Sequence, residues 1–456
     1  MLPRFEIVGR RRPVDLVSPG SALVDATTAG AVEWATPHPA PYAAVVATGP
    51  PTSGTLSLSL AGGDVRLSGE YDAARGAVGL TVRAGGATTT HASRRSGRAT
   101  APVEGVALAL TGTHLTVLTH EAGAWLARGR VDLAERCDTR DEAWLASLVT
   151  AVDGPVAHLT AGGFGQLGLR DVRLVTREDG SPVRDGDDLL LSATSAGPGF
   201  FDTAHTSLWR LSSALDLTHV SDLFFRRPDR PGVFGDHATH VVRREDDWLV
   251  ATSTWGDFDR RRPGASVAIT LATTRADLLA GRHVLDTRPL AVPTTGLRSV
   301  GVWDPHLVRI GDTWHVGFVS APKFFRFHPA LAAGPSLDEL TLVGADTGRI
   351  ATEGTTLVRL DDGWRVLASD GRDGRRGQRR GYPVYDLALA EVGGLDAPYP
   401  TNIPWPTLVR EDDGWLMVGF NGAPYGGRLV GYGSHGDVVL MRTSPADRIG
   451  IPAGHD

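Results

Sequence analysis

Three acidic residues stand at one register of a repeated sequence pattern. Asp171 and Asp304 each come three residues before the first apolar position of their copy, Leu174 and Leu307, and Glu353 comes four before Leu357. They lie 133 and 49 residues apart along the chain. Carboxyls brought together in this way can open an acetal. One, protonated, donates to the leaving oxygen; a second activates water or attacks the anomeric carbon; a third tunes the acid's pKa. The chemistry is that of a glycosidic bond. Asp202, in the segment FFDTAHTSLWR, is the alternative to Asp171 as the first acid of the set, and it and His205 of the same segment are candidate substrate-binding residues.

The elements that must position these groups can be read from the repeat. Residues 237–254, 303–320, 353–370 and 404–421 align without a gap. Each copy has two apolar residues and an Arg, then an acidic or Gly-containing turn, then a Trp seven positions after the first apolar residue. This pattern predicts a β-hairpin whose second strand opens with an aromatic packed between sheets. A weaker fifth copy covers residues 170–194. The first apolar positions, Leu174, Val241, Leu307, Leu357 and Leu408, are 67, 66, 50 and 51 residues apart, which is room for a four-stranded sheet plus loops. Such repeats indicate a β-propeller, here of five blades, with residues 437–442 needed to finish the last one. In that fold the inner strands begin around one axis. A lone Asp or Glu at a strand start is ordinary turn or ion-pair chemistry; the shared register is what marks these three.

The first 160 or so residues show a period of two between turns, as in TLSLSL, AVGLTVR and VALAL. That alternation predicts an antiparallel β-sandwich or jelly roll over residues 1–160, ahead of a propeller over 161–456. One helix is expected near residues 141–149, and AGGFGQLG (161–168) reads as the linker. The chain of 456 residues is 41% hydrophobic and 21% charged, which excludes disorder and a coiled coil. A net charge of −6 gives no support to nucleic-acid or membrane binding. A single cysteine, Cys137, excludes an intrachain disulfide framework and a multi-cysteine zinc site. The N-terminal segment has no apolar leader, and no apolar run is long enough to span a bilayer, so a cytoplasmic protein is expected.

Further binding candidates flank the strand starts. Asp236 and His237, in GDHATH, stand at the mouth of the second blade, where a sugar hydroxyl could bind. Trp255, Trp303 and Trp405, with Trp209, Phe324 and Phe325, could stack on sugar faces, whereas Trp248, Trp314, Trp364 and Trp415 hold a fixed repeat position and are expected in the core. The Arg-dense loop at residues 371–382 could meet an anionic substrate group or phosphate.

From about residue 168 to 442 the chain resembles the five-bladed propeller glycosidases, glycoside hydrolase families 43, 62, 32, 68, 117 and 130. The likeness rests on DPHLVR (304–309), similar to an Asp-Pro strand start, and EGTTLVRLDDGW (353–364), similar to a Glu-Gly-Pro strand start. Asp171-Val172 and Gly354-Thr355 depart from that pattern. The resemblance implies a glycosidase acting on an oligo- or polysaccharide, with Asp171 as base, Asp304 as modulator, Glu353 as acid, and inversion. It further implies a furanoside substrate, an arabinofuranoside or fructofuranoside. His435, in GYGSHGD, resembles a late histidine that in some relatives faces the channel, sometimes beside calcium. No cofactor is required, and a structural calcium ion would be reached through water. The N-terminal unit resembles concanavalin-like domains in pattern. The rival readings are a glycoside phosphorylase or transglycosylase, motivated by the Arg loop and by Lys323, Arg326 and His328, and a non-catalytic carbohydrate-binding propeller.

Overall fold

The computed structural model describes residues 4–412, 414–422 and 436–443. Apart from the short helix Glu142–Ala146, opened by the Asp141 side chain capping Trp144 N–H, and one 3-10 turn, its regular structure is β. It forms a five-bladed β-propeller preceded by a β-sandwich.

The sandwich has two six-stranded sheets. The first contains Tyr42–Thr48, Val103–Thr111, His114–Glu121 and Ala124–Asp132; the second contains Thr55–Gly62, Val65–Asp72 and Ala77–Ala84. Alternation in the first sheet explains its two buried faces. Val45, Leu108 and Leu110 point between the sheets and meet Leu58, Leu67 and Leu80. Their neighbours Ala44, Ala107 and Ala109 point the other way, where small side chains let Phe224 and Val233 of the propeller pack against the sheet.

The blades run from axis to rim as follows. Blade one is Leu169–Leu174, Asp188–Ser195, His205–Leu211 and Leu217–Arg227; blade two is His237–Arg243, Trp248–Ser253, Ile269–Thr274 and Arg288–Pro289. Blade three is Gly301–Ile310, Thr313–Lys323, Arg326–Gly334 and Thr341–Ala345; blade four is Thr352–Leu360, Gly363–Asp370, Pro383–Tyr385 and Glu391–Gly394. Blade five joins Thr407–Glu411, Gly414–Asn421 and Asp437–Thr443 to Phe5–Arg11. Trp248, Trp314, Trp364 and Trp415 each pack between their own sheet and the preceding one.

Inner strands are stitched by the residue just before each first apolar position. His240 Nδ1 accepts Leu307 N–H at 3.0 Å, and His306 Nδ1 accepts Leu357 N–H at 3.4 Å. Thr407 Oγ1 donates to Val172 O at 2.8 Å, tying blade five back to blade one. The two imidazoles stack with centroids 4.0 Å apart, and burial holds both well below the usual histidine range, so they accept as neutral rings.

Residues 437–442 lie in the last blade as expected, but two expectations need correction. The expected boundary at residue 160 places Phe5–Arg11 in the sandwich, but it is the outer strand of blade five. The expected linker at 161–168 is instead largely strand, since Val156–Gln166 pairs with both neighbours in the first sheet. Its glycines are there for close approach: a Cβ on Gly162 would lie 2.2 Å from Ser21 O, and one on Gly165 would lie 2.4 Å from Asp15 O. Among the described residues no helix is long and apolar enough to cross a membrane.

Candidate active site

Four inner strands carry a β-bulge at the same place. The pairing register shifts between Arg170 and Arg173, His237 and His240, Trp303 and His306, and Glu353 and Thr356. The bulged residue has positive φ in each: Asp171 at 52°, Ala238 at 60°, Asp304 at 58° and Gly354 at 75°. Asp tolerates this left-handed region better than most residues, but a non-glycine there stores strain. A bulge re-aims its side chains, so the residue at the bulge and the one before it both reach the axial cavity. That resolves the one-residue offset in the sequence: Asp171 and Asp304 occupy the bulge, and Glu353 precedes it. Gly354 is required by space as well as by φ, because a Cβ there would lie 2.3 Å from the Trp405 ring.

Asp171, Asp304 and Glu353 line one cavity of about 770 Å³. Arg170 donates to Asp171 through Nε at 3.2 Å. Arg173, fully buried beneath the set, donates to Thr356 Oγ1 at 2.9 Å and to Asp304 O at 3.0 Å, with its guanidinium 4.5 Å from the centre of the Trp405 ring. Trp303 Nε1 donates to Glu353 Oε2 at 3.4 Å.

Burial is the largest influence on all three carboxyls, and it raises each. For Asp171 the charges of Arg170 and Arg173 and a Thr194 hydrogen bond offset part of this rise, and the carboxyl still lies above its ordinary range. Asp304 is pushed well above the carboxylate range, next by the charges of Glu353 and Asp171, and its Oδ2 has no hydrogen-bond partner. Glu353 is pushed up to about 8, by burial and then by the charge of Asp171. The expected source of that charge was Asp304; Asp171 supplies it because Asp304 is itself driven towards protonation. The charge of Glu353 thus favours the protonated form of Asp304.

The cavity also collects Asp202, His237, Trp255, Trp303, Trp405, Phe324 and Phe325. Asp202 lies in the turn Phe201–Thr203 on the wall of the same cavity, paired with His114 at 3.2 Å. His237 lies between Arg170, at 3.3 Å, and Gly235 O.

Two expected binding residues are absent from the lining. His205 is fully buried against Asp222, at 3.0 Å, and stacks on Phe224. Asp236 is fully buried with its carboxylate held by Arg227 and by Gly256 N–H. Trp209 is likewise core, packed in blade one. His435 lies outside the described residues. Among the described residues no group of three His, Cys, Asp or Glu is placed to hold a metal ion.

Sequence reasoning missed Arg173 and five sandwich residues on the cavity wall, Thr113, His114, Arg130, Asp132 and Arg140. Arg173 had a signal, since it takes the position that carries His240, His306, Thr356 and Thr407 in the other copies. The sandwich residues belong to no repeat.

No protein-family model and no curated protein matches the chain. Solved structures do. A family 32 β-fructofuranosidase of Bombyx mori aligns with a TM-score of 0.44 at 14% identity, over 60% of this chain and 59% of that one. A family 43 enzyme of Xanthomonas citri, complexed with xylose, gives 0.40 at 12% identity, over 60% of this chain and 86% of the other. Levansucrase of Bacillus subtilis, in complex with oligosaccharides, gives 0.42 at 8% identity, over 60% and 84%. At such distances the likeness carries no statement about chemistry.

Proposed function

We propose that the protein is a glycosidase hydrolysing a furanoside, an arabinofuranoside or fructofuranoside, at the carboxyls of the axial cavity. The observation that carries this reading is Glu353, a buried carboxyl pushed up to about 8 and so protonated at neutral pH, in one cavity with Asp171, whose rise on burial the charges of Arg170 and Arg173 partly offset. A general acid must keep its proton until the leaving oxygen needs it, and a base must have lost its own. Glu353 then donates to the glycosidic oxygen. Asp171 takes the proton of the attacking water, in an inverting displacement on the opposite face of the sugar. Asp304 is the modulator, its proton favoured by burial and by the charges of Glu353 and Asp171, and Trp303 and Trp405 line the sugar's place.

Three desolvated carboxyls, two of them on strained backbone, are costly, and a merely binding propeller has no use for that cost. Of the residues that motivated the phosphorylase reading, Lys323, Arg326 and His328 are outside the cavity lining, whereas Arg372 of the Arg-dense loop is on it, so phosphate dependence of turnover separates the two readings. The test is hydrolysis of aryl arabinofuranosides and fructofuranosides with the first-formed anomer followed by NMR. Turnover by the native protein and loss of about 10²–10⁴-fold in kcat for Glu353→Gln is the expected result. Full activity in that variant removes the proposal.

A further inference from the structure

The sandwich reaches the cavity through a hairpin and the strand beside it. Gly112, at φ 61°, sits in the turn between Val103–Thr111 and His114–Glu121, and a Cβ there would lie 2.3 Å from Asp202 O. The hairpin backbone therefore rests directly on the turn of blade one that carries Asp202. Arg140 reinforces the seam by donating to Gly256 O at 2.9 Å.

Charge on this wall is unevenly satisfied. The acids are engaged: Asp202 with His114, Asp257 with Arg227 and Arg230 at 2.7 Å each, and Asp259 with Arg261 at 3.0 Å. Several cations are not. Among the described residues no carboxylate comes within ion-pair distance of Arg130, Arg140, Arg260 or Arg262. Half-buried Arg130 bonds only Pro198 O, at 2.9 Å, and lies 5.9 Å from the exposed Phe200 ring. Arg140 Nε is buried with no partner. Beyond ion-pair range, Arg130 feels the charge of Asp202 and then of Asp132, Arg140 feels Asp257 and Asp202, and Arg262 acts on Asp132. A guanidinium taken out of water without a carboxylate has donors left over, and its planar fork fits a carboxylate, sulfate or phosphate.

We propose that the N-terminal sandwich is a substrate-reading wall, in which Arg130, with Arg140 behind it and Arg262 on the facing loop, binds an acidic substituent of the saccharide. The inference rests on the reading of the cavity as a sugar site and names the class of sugar: one carrying a carboxylate, a sulfate ester or a phosphate ester. Phe200, whose ring lies beside Arg130, covers the apolar side of the group they hold.

The test is calorimetric binding to the full chain of fructose, fructuronate, fructose 6-sulfate and fructose 6-phosphate, with inorganic sulfate and phosphate as bare anions. At least one charged sugar should bind about tenfold tighter than fructose, and which one it is identifies the substituent. The gap should narrow as salt is raised. Arg130→Gln should bring charged and neutral sugars close to parity, Arg130→Lys should restore part of the gap, and Arg262→Gln, on an exposed loop, should reduce it in a folded protein. Equal binding of all four sugars, no binding of any charged form, binding of the bare anions alone, or a gap unchanged in Arg130→Gln and Arg262→Gln overturns the inference. Hydrolysis of neutral furanosides without a charge gap defeats this inference alone. A charge gap without hydrolysis defeats only the catalytic reading.

Discussion

Glu353 ties the chemistry of the cavity to two measurable pH effects. Its proton leaves as pH rises through about 8, so kcat/KM should fall on the alkaline side there, with the acid limb set by Asp171. A pH–rate profile checks this, and an alkaline limb indifferent to substitutions near Glu353 would count against it. The second effect is on stability. The folded pKa lies above the ordinary value of 4.5, so between that value and about 8 the folded chain holds a proton the unfolded chain lacks. Stability from this group is therefore fullest at low pH and is lost as pH rises. Glu353→Gln removes the loss, so its Tm should exceed that of the native protein by at least about 2 °C near neutral and alkaline pH, with the gap closing towards pH 4.5. Melting curves across that range would show a constant gap if the carboxyl were ordinary.

At the scale of the strand, the bulge does the positioning, and Gly354 is its most exacting residue. Gly354→Ala places a methyl against the Trp405 ring in a backbone region disfavoured for alanine, so the strand start must move. We expect activity to fall by at least about tenfold while the protein still folds, with a Tm loss equivalent to about 1–3 kcal/mol. Wild-type kinetics in this variant would show that the bulge does not set the acid's place. The strand scale also explains what could be read in advance. Asp304 and Glu353 were legible because the repeat fixed their register against Leu307 and Leu357. The bulge itself was not, because the residues at it, Asp171, Ala238, Asp304 and Gly354, share a backbone conformation and no side-chain type. His205 and Asp236 looked like rim residues from their places at strand starts. Each had a buried partner, Asp222 and Arg227, which only the folded chain brings near.

Across the whole molecule, the sandwich and the propeller share a buried polar knot. Asp222 accepts from His205 and His219 at 3.0 Å each, Arg282 reaches Asp222 at 3.4 Å and Tyr42 O at 2.9 Å, and Tyr42 OH donates to Ala204 O at 2.8 Å. Contacts this far apart in sequence leave no periodic trace, which is why the seam, and the cavity wall it builds, could not be read from the sequence. The ring is closed in the same long-range way. Removing Phe5–Arg11 strips the outer strand from blade five and exposes the edge of Asp437–Thr443. Such a truncation should lower Tm by several degrees and bring aggregation on heating, followed by light scattering; an unchanged melt would mean that the closure is incidental.

That closure has a consequence for the order in which the protein matures. Phe5–Arg11 leaves the ribosome early, and its partner Asp437–Thr443 is made only after every other blade. A nascent chain stalled after blade four already possesses Asp171, Asp304 and Glu353, yet the circle that draws them together is still open. Competence for the proposed catalysis should arrive abruptly, with the strand Asp437–Thr443, and not accumulate blade by blade.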